Sequence, residues 1–168
     1  MSEEFVLSAA SEALFAREVA KYPTEQKASA VMACLAIVQN EIGYVSRASE
    51  DVVAAYLGMP PIAVYEVTTF YNMYNQRPLG KYKLNVCTNL PCQLRNGQQA
   101  LNHLCAKLGV EAGGTTVDGL FTVQQSECLG ACADAPVLLV NDRQMCSFMS
   151  HQRIDELVDT LKAHAGEN

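Results

Sequence analysis

Tyr82-Lys-Leu-Asn-Val-Cys87-Thr-Asn-Leu-Pro-Cys92-Gln-Leu94 reads as a strand that runs through a cysteine-bearing loop into a helix. Tyr82, Leu84 and Val86 alternate with polar neighbours, which is the two-residue period of a half-buried strand. Cys87 and Cys92 then follow at C-x4-C spacing, with Cys92 directly before a helix. A second pair, Cys128-Leu-Gly-Ala-Cys132, has C-x3-C spacing and follows the apolar segment Leu120 to Val123. Both pairs therefore lie in loops at the carboxyl ends of strands of one small sheet, where they can converge.

Outward from these loops the rhythm is strand, loop, helix, strand, loop, strand, strand, helix. The spacing predicts one helix over Gln93 to Leu108, with Leu101, Leu104, Cys105 and Leu108 on one face and Gly109 as its stop. Pro136 to Val140 is apolar enough for a strand, Asn141-Asp142 is a turn pair, and Gln144 to Phe148 is its hairpin partner. His151 to Ala163 closes the region as an amphipathic helix through Ile154, Leu157, Val158 and Leu161. Gly113-Gly114 reads as a turn.

Upstream, the pattern is helical. Ser11 to Tyr22 is amphipathic and Pro23 stops it. A helix over Gln26 to Ile42 aligns Ala28, Val31, Leu35, Val38 and Ile42, with Gly43 at the C′ position. Ser46 or Ser49 caps a third helix that runs to Leu57 and closes at Gly58. Pro60-Pro61 opens Ile62 to Tyr71, where β-branched content leaves helix or strand open, and Pro at the first turn favours helix. The turn cluster Arg77-Pro78-Leu79-Gly80 marks a boundary. The expected architecture is α+β or α/β: an N-terminal helical bundle over residues 1–78, then a compact α/β domain over residues 79–168.

Composition narrows the function. Of 168 residues, 49% are hydrophobic and 18% charged, which suits a packed globule. The net charge of −6 argues against a nucleic-acid partner. Ala30 to Val38, the longest apolar run, is half the length a membrane span needs. The start Met1-Ser-Glu-Glu is acidic where a targeting peptide would be basic, so a cytoplasmic location is expected. Seven cysteines, an odd number, cannot all pair internally, and reduced thiols fit such a compartment.

Four thiolates, two per iron, are what a [2Fe–2S] cluster requires, and two loops with two sulfurs each supply them. Gly130 lets the second loop bring its backbone close, and the helix start at Cys92 favours an anionic cluster. Thr88 offers a hydroxyl either to a sulfur or to the loop backbone. Structural zinc also takes four thiolates but mostly at C-x2-C spacing, as does a thioredoxin-type redox pair. Cys34, Cys105 and Cys146 lie on apolar stretches and read as core filler. His103, His151 and His164 sit on helices, away from either cysteine loop, and read as surface or capping residues. Tyr65, Phe70, Tyr71 and Tyr74 form an aromatic run that serves either core or partner docking. No glycine-rich phosphate loop and no nucleophile–base set is present, so no catalytic residue is expected.

Val86-Cys-Thr-Asn-Leu-Pro-Cys-Gln-Leu-Arg-Asn96 and Glu127-Cys-Leu-Gly-Ala-Cys-Ala-Asp-Ala-Pro136 resemble the two signatures of the small iron–sulfur subunit of NADH–quinone oxidoreductase, which is respiratory complex I. Val64-Tyr-Glu-Val-Thr-Thr-Phe-Tyr-Asn-Met-Tyr74 and Pro78-Leu-Gly-Lys-Tyr82 extend the resemblance, which covers Ala28 to Asp142. It implies a thioredoxin-like ferredoxin fold for the second domain and one [2Fe–2S] cluster on Cys87, Cys92, Cys128 and Cys132. It also implies docking to a larger subunit that holds FMN, NADH and a [4Fe–4S] cluster, within a peripheral arm on the cytoplasmic side of the inner membrane. Related subunits serve NAD-linked hydrogenases and formate dehydrogenases, and a free thioredoxin-like ferredoxin is the remaining alternative.

Overall fold

The computed structural model describes residues 5–166, so the acidic start Met1 to Glu4 lies outside the described residues. The chain forms two compact units, Met1–Pro78 and Leu79–Asn168.

In the first unit the described elements are helices. α1 (Ala9–Val19) begins two residues earlier than its apolar period suggests, because the Ser8 side chain accepts the Ser11 N–H and caps it. The helix expected over Gln26 to Ile42 is two elements: a 3-10 helix, Thr24–Ala30, followed by α2 (Val31–Ile42). The 3-10 segment, in which Gln26 has non-helical angles of φ −115° and ψ 19°, winds differently from the α-helix that the apolar period assumes. As a result Ala30 rather than Ala28 is buried, beside Val31, Leu35 and Val38. Gly43 caps α2 with φ 86°, a left-handed conformation that glycine adopts without a Cβ penalty. α3 (Arg47–Leu57) is capped by Ser46, and α4 (Pro61–Phe70) resolves the open segment as helix. Their apolar faces enclose Phe15, Cys34, Leu35, Val53, Leu57 and Val64. The aromatic run divides: Tyr74 is buried and its hydroxyl donates to the Met32 carbonyl at 2.9 Å, whereas Phe70 is 79% exposed.

The second unit is built on a four-stranded sheet of order β2-β1-β3-β4. β1 (Tyr82–Cys87) and β2 (Phe121–Ser126) are parallel, joined through α5 (Leu90–Leu94) and α6 (Gly97–Leu108). β3 (Leu138–Val140) runs antiparallel to β1 and pairs with β4 (Gln144–Cys146), and α7 (His151–Gly166) ends the fold. Leu84, Val86, Leu104, Phe121, Val123, Ile154 and Val158 share one core. Asn141 and Asp142 both have positive φ, 51° and 56°, as the tight β3–β4 turn requires.

β1 departs from simple alternation: every residue but Tyr82 is buried, including Lys83 and Asn85. Asp142 makes this tolerable. Its carboxylate accepts from Lys83 Nζ at 2.9 Å and from Asn85 Nδ2 at 2.6 Å, so the hairpin turn neutralises a charge inside the central strand. Asp142→Ala is expected to lower the unfolding free energy by about 2 kcal/mol, below the cost of a fully buried pair because Asp142 is 38% exposed. Urea denaturation of the full chain measures this; an unchanged midpoint would mean that the pair contributes nothing.

Candidate metal centre

The parallel pairing of β1 and β2 puts Cys87 in register with Ser126, two residues before Cys128. Both cysteine segments thus leave the sheet at the same edge. By alternation Cys87 points with Lys83 and Asn85, away from the Leu84 and Val86 core. It forms a separate small cluster with Cys92, Ala135 and Val137.

The helix expected over Gln93 to Leu108 is broken, and the break serves the site. α5 carries Cys92 in its first turn, Asn96 takes a left-handed φ of 68°, and α6 starts afresh at Gly97. A Cβ at Gly97 would lie 2.8 Å from the carbonyl oxygens of both Cys87 and Cys92. Only a glycine lets α6 pack this closely against the backbone of the first pair.

In the second pair Cys128 Sγ and Cys132 Sγ are 3.6 Å apart. A disulfide would need about 2.05 Å. Two thiolates bound tetrahedrally to one metal at ~2.3 Å stand ~3.8 Å apart, close to the separation of this pair. Gly130 has φ 80° and its N–H donates to Cys128 Sγ at 3.4 Å, while a Cβ there would meet nothing. Its left-handed backbone is one that glycine adopts without a Cβ penalty. Cys132 begins a 3-10 turn, Cys132–Asp134, which is held from behind: Phe148 N–H donates to the Asp134 carbonyl and Ser147 Oγ to its carboxylate.

Electrostatics link the pairs. Burial pushes the Cys92 thiol up to about 11, reinforced by its hydrogen bond with Cys87 and the fields of Cys87 and Cys132; a backbone hydrogen bond with Val137 opposes this. Cys132 is raised first by its hydrogen bond with Cys128, then by burial and by the charges of Cys128 and Cys87. Thiols so placed resist ionising together unless a cation compensates them, and metal binding displaces their protons. Among the described residues no three His, Cys, Asp or Glu side chains gather around one point. The cysteines come as two pairs, two sulfurs from each loop, which is the number of thiolates that a [2Fe–2S] cluster needs.

The remaining thiols stay out of the site. Cys34 is fully buried and raised to about 11 by burial, while Cys105 and Cys146 are partly buried and raised for the same reason. His103 bonds Asp155 at 2.9 Å and stacks on His151 with ring centroids 4.2 Å apart. Thr88 Oγ1 accepts from Gln125 Nε2 at 2.7 Å, and Asn89 Nδ2 donates to Glu127 Oε2 at 2.7 Å. Those two side-chain bonds had no signal in sequence, because they join residues brought adjacent only by the parallel strand pairing.

The second unit is thus a small α/β fold that carries two cysteine pairs at one edge of its sheet. The model of the thioredoxin-like [2Fe-2S] ferredoxin family matches residues 15–162, and the chain belongs to that family. Its cofactor is one [2Fe–2S] cluster. Subunit 2 of NADH-quinone oxidoreductase from Thermus thermophilus is 39% identical over 144 residues, covering 86% of this chain and 80% of that protein. A subunit of NADH-quinone oxidoreductase from Rickettsia conorii is 38% identical over 145 residues, covering 86% of each. Among solved structures, an NAD+-reducing [NiFe]-hydrogenase in the air-oxidised state superposes with a TM-score of 0.68 at 22% identity. That likeness spans 80% of this chain and 23% of the hydrogenase chain, and is a likeness of fold.

Proposed function

We propose that this chain is the electron-transfer subunit of an NADH–quinone oxidoreductase, with its [2Fe–2S] cluster held by Cys87, Cys92, Cys128 and Cys132. The observation that carries the reading is the pair of thiol sets at the shared edge of parallel β1 and β2, one of them with its sulfurs 3.6 Å apart. The relatives named for NADH-quinone oxidoreductase subunits, similar over most of their length, support the parent complex. The cluster supplies a one-electron couple. The chain's own residues provide four thiolates, a glycine seat at Gly97 and the tethers that hold the loops.

The partner in this reading is a larger subunit with FMN, NADH and a [4Fe–4S] cluster, alongside further subunits of the peripheral arm on the cytoplasmic side of the inner membrane. No described helix is long and apolar enough to cross a membrane. Residues 1–78 act as a helical bundle for docking; Ile62, Phe70 and Met73 leave apolar surface exposed on that unit, which supports this assignment. The hydrogenase fold likeness favours one second reading, a diaphorase subunit of an NAD-linked hydrogenase.

The chain has no phosphate-cradling loop of the common kinds. Purified and cluster-loaded, it is therefore expected to leave NADH unoxidised and to have its cluster reduced only when the flavin-bearing partner is added. Stopped-flow absorbance with and without that partner measures this. Saturable NADH oxidation by the flavin-free chain would overturn the electron-carrier reading.

A further inference from the structure

The two cysteine loops are tied to each other where they leave the sheet. Thr88 N–H donates to the Ser126 carbonyl at 3.1 Å, extending the β1–β2 ladder one step beyond the strands. Two side-chain bonds then continue across the gap, Gln125 Nε2 to Thr88 Oγ1 and Asn89 Nδ2 to Glu127 Oε2, each 2.7 Å. Thr88 and Asn89 lie between the cysteines of the first pair, and Gln125 and Glu127 lie just before the second.

Asn89 is the telling member. It occupies the N-cap position of α5, where an asparagine side chain ordinarily accepts a backbone N–H of the first turn. Here it makes no such bond and turns its amide across to Glu127. Glu127 immediately precedes Cys128, so the bond from the Asn89 amide ties the first loop to the residue beside the second pair.

From this geometry we infer that Asn89, Glu127, Gln125 and Thr88 form a latch between the two loops. They are positioning residues that set the separation of the two thiol pairs and so govern how firmly the cluster is kept. The inference rests on the four cysteines being the ligands. Each loop contributes one pair, so the spacing between the loops has to match the cluster that the two pairs would share. Within a pair, spacing is fixed by one short segment of chain. Between pairs it is fixed by the sheet edge and these side chains. A loop free to drift exchanges a bound thiolate for solvent more often, and the loss shows as a rate.

The test uses the full chain, loaded with cluster and challenged anaerobically with an iron chelator while the visible absorbance is followed. Glu127→Leu and Gln125→Leu are each expected to lose the cluster roughly three- to tenfold faster, the range that one lost hydrogen bond corresponds to. Glu127→Gln keeps an acceptor for Asn89 and is expected to restore the wild-type rate. Asn89→Ala combined with Glu127→Leu should be no worse than Glu127→Leu alone, since both remove the same bond. The thermal midpoints of the cluster-free variants should match wild type, and the EPR line shape of the loaded leucine variants should change, which a generally weakened fold would not produce. Wild-type loss rates in the leucine variants would overturn the latch. So would a Glu127→Gln protein as labile as Glu127→Leu. Cys128→Ala in parallel separates the two claims: retention of a normal cluster there would overturn the ligand assignment, while its loss beside unaffected latch variants would overturn the latch alone.

Discussion

A Cys128→Ala protein is expected to emerge without the visible absorption and EPR signal of a two-iron cluster, and the same holds for Cys87, Cys92 and Cys132. The cluster would then have three protein sulfurs in place of the four it needs. Cys34→Ala is the informative contrast. Cys34 is fully buried in the core of the helical unit, so its truncation leaves a small cavity costing about 1–2 kcal/mol while the cluster spectrum stays intact. Cys105 and Cys146 are only partly buried, and their alanine variants should cost less than Cys34→Ala. Iron and acid-labile sulfide assays on the set of variants decide the matter; normal iron content in any of the four ligand variants removes that residue from the site.

Gly97→Ala is expected to damage the site without touching a ligand. In an ordinary helix this substitution would gain about 1 kcal/mol, since alanine is the better helix former. At Gly97 the new methyl would sit 2.8 Å from the Cys87 and Cys92 carbonyl oxygens and 2.9 Å from the Cys92 carbonyl carbon. All three are backbone atoms, so no flexible side chain can move aside. Overpacking of this kind costs about 1–3 kcal/mol and outweighs the propensity gain. Either α6 or the first cysteine segment shifts. A net loss of about 1–2 kcal/mol in unfolding free energy is expected, together with faster loss of cluster to chelator. Urea denaturation and the chelator challenge report the two effects; a stabilised protein with a normal cluster would show that the contact between α6 and the loop is loose.

The ligand candidates and the order of elements were legible in the chain itself. Pairs of cysteines separated by four and by three residues are local facts, and the caps at Ser46, Gly43 and Gly109 are local signals that the structure retains. These features involve residues within about one helical turn of each other, where sequence spacing equals spatial neighbourhood. The breaks were not legible. A hydrophobic period reports only which face is buried, so it ran through the 3-10 segment before Val31 and through Arg95-Asn96, where the backbone leaves the α-helix. Residues joined by folding were silent as well. Lys83 and Asn85 looked like the solvent face of a strand until Asp142 was brought to them from the hairpin turn. Gln125, Glu127 and Asn89 carried no pattern at all, because the bonds between the loops arise only once β1 and β2 lie parallel and in register. Sequence by itself determined which atoms can bind metal and roughly which elements carry them, since chemistry and local spacing belong to the chain. Tertiary structure decided how those atoms face one another, since that distance is set by strand pairing and side chains far apart in sequence.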